Sequence, residues 1–413
     1  MVAPFLPDDE KLAAVREALP ALGAGIYLNT GSVGPLPSET AAAMAELVEY
    51  ELKVGRAHPD DWDRFIERMA EARAAVAAVI GADVDEIAIV HSASQAMNAA
   101  IWSVDVGPGD RIVTTQAEPA GGLGPVHVVA DRFGAEVAIA DVGLGDDDDR
   151  TLAAFDAAIT DRTRIVALSQ VLRTSGARLP VRAIAELAHQ RGARVAIDGS
   201  QAVGAMPVSV ADLDVDFYAL PGQKWLLGPE GTGALWVSPA ALTDAKPWNG
   251  SWFTFERITP AGFAIHGTAR RFDDSGQYRP AVTGLARSCG WLSMYVGLPW
   301  VHARGLATAA AAADRLAAIE GVELLTPRDA MATLVTFRIA GWPSDEALAE
   351  LGSRAFVIAR SIPELDALRL SVGFFTTDEE IERVAAVVEL LAAHTPQSLP
   401  PRPRLTILGQ GAG

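Results

Sequence analysis

The chain has 413 residues, of which half are hydrophobic and 21% are charged, and its formal net charge is −18 at pH 7. That length exceeds one small domain, and the apolar share suits a large packed core rather than bulk disorder. So acidic a chain repels phosphate backbones, which argues against nucleic acid as a partner.

Residues 1–10 have neither the basic start nor the apolar stretch of a secretory signal. No apolar run reaches the ~18 to 20 residues of a membrane span. The expected location is the cytoplasm, with no membrane partner. Residues 8–19 have the spacing of a short amphipathic helix. Residues 25–37 (GIYLNTGSVGPLP) read as a strand entering a Gly/Pro-rich turn, with Ser38 as the N-cap of the next helix. An Ala-rich helix follows over roughly 62–80. Short apolar strands then recur at 86–90, 111–115, 136–140, 163–168, 194–197 and 216–220. Helical or loop stretches separate them, among them helices at 95–104 and 181–191, the second stopped by Gly192. The four aspartates at 146–149 read as a solvated turn. This alternation predicts an α/β fold with a mainly parallel sheet, whose strands are apolar throughout because both faces are buried.

Cys289, the only cysteine, cannot build a disulfide framework and fits a reducing compartment. Its surroundings read as a helix, and it is expected to be a small buried hydrophobe. Beyond about residue 290 a long helix (299–319), short strands (322–325, 332–339) and helices at 345–352 and 378–393 predict a smaller α+β unit. The expected division is an N-terminal segment (1–24) packing with the small domain, a large domain (25–290), a small domain (291–395) and a Pro-rich tail (396–413).

Two strand ends carry chemistry. Residues 194–204 (RVAIDGSQAVG) put Asp198 at the end of one apolar strand, and 221–233 (PGQKWLLGPEGTG) put Lys224 just past the next. In open α/β sheets functional groups gather at the carboxyl ends of strands. A lysine beside Trp225, Leu226 and Leu227 is costly without a special partner. Pyridoxal 5′-phosphate (PLP) asks for such a set: an amine for its aldehyde, a carboxylate for its ring nitrogen, and donors for its hydroxyl and phosphate.

Together with residues 27–37, 91–98 (HSASQAMN) and 369–377 (RLSVGFFTT), these stretches resemble the class V aminotransferase-like group of fold-type I PLP enzymes. That group includes cysteine desulfurases, cysteine and cystine C–S lyases and isopenicillin N epimerase-like proteins. The resemblance spans roughly residues 25–393. It implies a mainly parallel seven-stranded sheet in a large domain, a smaller α+β C-terminal domain, and a homodimer. It implies that Lys224 holds PLP as a Schiff base and moves the α-proton, with Asp198 at the pyridinium nitrogen and Gln201 and Gln170 near the ring hydroxyl. Ala93, Ser94 and Gln223 would bind the phosphate, the first two at a helix N-terminus. Arg369 would grip the substrate carboxylate, with Arg360, Asn29 and Ser32 nearby. No metal ligand set is assigned. Ser94 is also a common cap residue, Gln170 and Gln223 are ordinary polar types, and the aromatics Trp248, Trp252, Phe253 and Phe255 suit core or dimer contact better than a substrate pocket.

The pattern is incomplete. The family's phosphate loop usually carries two adjacent Thr-like hydroxyls; here those positions are Ala93, which has none, and Ser94. Pro221 stands where another hydroxyl is usual. Residues 118–122 (EPAGG) lack the ring-stacking histidine or aromatic, since Pro119 cannot stack as an imidazole does. The second-subunit hydroxyl aligns with Gly276, beside Ser275. Residues 355–368 contain no cysteine, so persulfide chemistry is not expected. The leading expectation is a PLP-dependent C–S β-lyase acting on cysteine or a cysteine S-conjugate. Transamination, epimerisation or oxidative decarboxylation in natural-product biosynthesis is the alternative within the same chemistry. A PLP-fold binding protein without activity is the alternative of another class.

Overall fold

The computed structural model describes residues 6–402. The ends of the expected N-terminal segment and tail, residues 1–5 and 403–413, lie outside it. The N-terminal strand β1 (Ile26–Tyr27) precedes β2 (Ile87–Val90), β3 (Arg111–Thr115), β4 (Glu136–Ala140), β5 (Thr163–Ser169), β6 (Arg194–Asp198), β7 (Phe217–Pro221) and β8 (Gly233–Val237). The last seven form one sheet in the order β2-β8-β7-β6-β5-β3-β4. Only β8 runs against its neighbours. A mainly parallel seven-stranded sheet is thus present, as expected. Strands β2, β7 and β8 are buried along their whole length, so no polar alternation interrupts them.

The chain order reverses between β3 and β5. From β3 the chain steps outward to β4, crosses back to β5, and continues through β6 to β7. Such a reversal opens a crevice at the carboxyl ends of the strands. Ser169, Asp198 and Ala219 lie side by side in register, so the loops leaving β5, β6 and β7 depart from one edge.

Next come the hairpin β9 (Phe255–Thr259) and β10 (Gly262–Ile265), then β11 (Val322–Leu324), β12 (Leu334–Ile339), β13 (Val357–Ile358), β14 (Arg360–Ile362) and β15 (Ala367–Ser371). An antiparallel sheet in the order β11-β12-β15-β14 packs with helices Leu298–Ala317, Ser344–Ala355 and Asp378–Ala392 around Phe337, Leu351, Leu370 and Val388. Strand β1 pairs in parallel with β13, and Ser371 N–H donates to the Leu28 carbonyl at 2.7 Å. A few residues later Gly34 N–H donates to the Gln223 carbonyl at 2.8 Å. Residues 28–34 therefore stretch from the small sheet to the Lys224 loop.

Two local expectations change. Ser38 is the first residue of helix Ser38–Val54, not its cap. Pro37 holds the cap position with no side chain able to accept a bond, and Ser38 N–H goes to the Ala18 carbonyl at 2.9 Å. The aspartate run is solvated, but it starts a helix: Asp147 accepts Arg150 N–H at 2.9 Å and caps Asp148–Ala158.

Candidate active site

Asp198 is the last residue of β6 and is 5% exposed. Its Oδ1 accepts Ser200 N–H at 2.9 Å. Both expected glutamines reach this edge, but each is already engaged. Gln170 Oε1 accepts the Tyr218 hydroxyl, so its amide nitrogen is what it can still offer. Gln201 accepts Trp225 Nε1–H at 3.0 Å and donates from Nε2 to the Gly31 carbonyl at 2.9 Å, which ties residues 28–34 to the loop after β6.

Lys224 follows β7 in a loop closed by Gly222 N–H to the Thr232 carbonyl (2.9 Å) and Gly228 N–H to the Gly222 carbonyl (2.8 Å). Leu227, at φ +55°, completes the turn. Gly34 has to be glycine here, because a Cβ would stand 2.3 Å from the Lys224 carbonyl oxygen. Burial lowers the Lys224 pKa. Asp198 opposes that, while Arg369, Arg360 and Arg173 push it further down. More of the amine is therefore uncharged near neutral pH than for a surface lysine. Gln223 Oε1 is buried without a hydrogen-bond partner among the described residues.

Register sets the start of helix Ala93–Trp102 beside that loop, since Val90 and Pro221 both pair with Gly233. Ser92, not Ser94, caps the helix by accepting Gln95 N–H at 3.1 Å. Ala93 and Ser94 occupy the first turn, where backbone N–H groups have no intrahelical partner and the helix dipole favours an anion. Ser94 is exposed, and its Oγ lies against Gly121. Ser275 N–H is spent on its neighbour Asp274.

Arg369, in β15, is 2% exposed. Its Nη1 donates to the Arg173 carbonyl at 3.0 Å, while Nε and Nη2 are buried without a partner among the described residues. Burial, then Arg360 and Arg173, lower its pKa to about 10. Arg360 is exposed, and its Nη1 reaches Ser32 Oγ at 3.3 Å. Ser32 Oγ donates to Asn29 Oδ1 at 2.7 Å, and Asn29 pairs with Ser371. Of the aromatics, Phe253 is buried and stacks on Trp62, while Trp252 is exposed.

Three residues here are absent from the sequence-based candidates. Tyr218 reads as core in an apolar strand, but its hydroxyl faces the site and its pKa is raised by burial and by Asp198. Arg173 ion-pairs with Glu364. Glu118, 7% exposed, follows β3 and crosses the chain reversal to the end of β5. It accepts Thr115 Oγ1–H at 2.7 Å, Ser169 N–H at 3.1 Å and Ser169 Oγ–H at 2.6 Å. Burial still dominates and raises its pKa to about 7. A charged residue just past a predicted strand end was the available signal for Arg173 and Glu118.

The family model described as Aminotransferase class-V matches residues 26–384. A Mycolicibacterium paratuberculosis protein named "Probable cysteine desulfurase" is 31% identical over 344 residues, 80% of this chain and 50% of that one. The chain thus spans about half the length of that relative. Isopenicillin N epimerase of Streptomyces clavuligerus is 29% identical over 383 residues, 89% of this chain and 94% of that protein. A solved structure of C-DES with glycine covalently linked to its PLP cofactor matches with a TM-score of 0.85 and 24% identity, over 93% of this chain and 99% of that one. In a second structure C-DES is called a cystine C–S lyase, in complex with its product cysteine persulfide (TM-score 0.84, 23% identity, 90% and 99% covered). These structures share the fold.

Proposed function

The chain belongs to the class V aminotransferase family, and on that premise we propose that it is a PLP-dependent lyase that cleaves the C–S bond of cysteine or a cysteine S-conjugate. Its residues fit the cofactor. Asp198, with Oδ1 held by Ser200, would face the ring nitrogen, and Gln170 the ring hydroxyl. The N–H groups of Ala93 and Ser94, with Gln223, would hold the phosphate. Gln201 acts one step away, fixing Gly31 and Trp225. Bound there, PLP supplies an electron sink that acidifies the substrate α-proton.

The carrying observation is Arg369: a buried guanidinium with two open donors, close enough to depress the Lys224 amine. A carboxylate accepts two parallel N–H bonds from such a fork, which aims the substrate Cα at Lys224. Lys224 Nζ, its pKa lowered by burial and by the neighbouring arginines, takes the α-proton. The Cβ–S electron pair leaves with sulfur as a thiol, and one water converts the remaining three-carbon fragment to pyruvate and ammonia. A lyase is favoured over a desulfurase by Cys289. It is the chain's only cysteine, it is fully buried, and burial pushes its thiol up to about 12, which leaves no thiolate to take sulfur.

Homodimerisation and a reducing cytoplasm complete the proposal. The exposed apolar side chains Trp252, Ile258 and Phe263, on and beside the β9–β10 hairpin, support a partner face, and the lone cysteine supports the compartment. Among the described residues no helix is long and apolar enough to cross a membrane. The test is release of pyruvate by the PLP-loaded protein, together with sulfide from cysteine, cysteine persulfide from cystine and a thiol from S-alkylcysteines, with Lys224→Ala silent. No pyruvate and no thiol from any of them sinks the lyase. Exchange and inversion at Cα without thiol release would instead match the epimerase among the relatives.

A further inference from the structure

Three arginines meet at one side of the site, and among the described residues only Arg173 has an acidic partner. Arg360 and Arg369 face each other across β14 and β15, so their side chains leave the same face of the sheet with Cβ atoms roughly 4.5 to 5.5 Å apart. Arg173, from the loop after β5, gives its carbonyl to Arg369 and its guanidinium to Glu364. Arg360 touches Ser32 and has no ion-pair partner among the described residues. Like charges held together repel unless an anion joins them. One α-carboxylate accounts for the two open donors of Arg369 but leaves Arg360 unneutralised. The Arg173 guanidinium pairs with Glu364, a half-exposed carboxylate on the turn Pro363–Leu365 that links β14 to β15.

We propose that Arg173 and Arg360 form a second anion subsite that selects amino acids whose side chain ends in a carboxylate. Glu364 is then a carboxylate of the chain itself that competes for Arg173. Substrates of this class are cysteine thioethers with a terminal acid. For S-carboxymethylcysteine, Cα loses its proton, the Cβ–S bond breaks with its electrons on sulfur, and mercaptoacetate departs. One water then yields pyruvate and ammonia from the rest, with no oxidant or reductant consumed. This substrate class rests on the lyase proposed above, but the subsite can be tested apart from it.

S-carboxymethylcysteine and its amide, S-carbamoylmethylcysteine, have nearly the same shape and differ by one charge. Their kcat/KM values on the PLP-loaded enzyme are to be compared with their calorimetric affinities for the Lys224→Ala protein, which cannot turn them over. The acid should be preferred at least about tenfold in both measurements, as loss of a charge-assisted hydrogen bond implies. Arg173→Gln and Arg360→Gln should each narrow that ratio, and Glu364→Gln, which removes only a half-exposed competitor, should widen it. Equal affinity for acid and amide, or a ratio that none of the three substitutions moves, overturns the subsite. Preferential binding of the acid, with no pyruvate released from it or from cysteine, cystine and S-alkylcysteines by the PLP-loaded enzyme, supports the subsite and removes the lyase.

Discussion

Glu118→Gln should flatten the dependence of stability on pH. Glu118 is buried where the strand order reverses, and burial outweighs its three hydrogen bonds, raising the carboxyl from 4.5 to about 7. Below the lower value it is protonated in folded and unfolded chains alike. Between the two values the unfolded chain releases the proton while the folded chain keeps it, so stability falls as pH rises. Across the whole window the loss is at most roughly 3.5 kcal/mol, at about 1.4 kcal/mol per unit. Glutamine suits the same place. Its Oε1 can accept from Thr115 and Ser169 N–H, and the Ser169 hydroxyl can turn to accept from Nε2. It thus mimics the protonated acid at every pH. The assay is urea unfolding of the cofactor-free protein near about pH 5 and about pH 8, wild type against variant, so that other titrating groups cancel in the difference. The wild type should lose more stability than the variant between those points. Equal losses would refute the argument.

Arg369→Met should raise the melting temperature of the substrate-free protein, because it removes a buried charge with unmet donors. The same change should cut kcat/KM about a hundredfold or more; a fall in both would mark Arg369 as structural. Cys289→Ala should cost about 1 kcal/mol through its small cavity yet preserve thiol release, and loss of activity in a folded variant would reopen persulfide chemistry. His189 Nε2–H donates to Asp216 Oδ2 at 2.9 Å, and that bond is the main cause of its raised pKa, with burial opposing. The stability it contributes is fully present below its ordinary value of 6.5 and is lost as pH rises through the raised one. His189→Asn should therefore remove a limb of stability that falls as pH rises past 6.5 in the same unfolding series.

Strands β3 and β4 could be read from the sequence to the residue, because Pro108-Gly109 and Gly134 punctuate apolar runs too short for a helix. Helix Ala120–Phe133 could not. Its first turns hold Gly121, Gly122, Gly124 and Pro125, which argue against a helix on propensity. Packing overrides that preference: Val126, Val129 and Ala130 are buried, and at Gly121 a Cβ would come 2.2 Å from Ser94 Oγ. The antiparallel strand β8 follows a glycine-rich loop, and its five residues GALWV suit a buried strand or a buried helix equally. In the β9–β10 hairpin both strands lie largely at the surface, so no alternation marks them.

The site divides along the same physical line. Lys224 and Asp198 were legible because each closes an apolar run, where a charge has no local excuse. Glu118 opens the EPAGG stretch, yet its partner Ser169 is 51 residues away across the reversal between β3 and β5. Arg173 reaches Glu364 across 191 residues. No helical or strand period encodes either contact. A parallel sheet brings all its strand ends to one edge, so the groups of a site are neighbours in space and scattered in sequence. What is local is the position of each group, a few residues beyond the end of an apolar run. Thr115 is followed by Glu118, Ser169 by Arg173, Ile197 by Asp198 and Pro221 by Lys224. Each of the four is the first charged residue after its apolar run, where a parallel sheet opens its crevice.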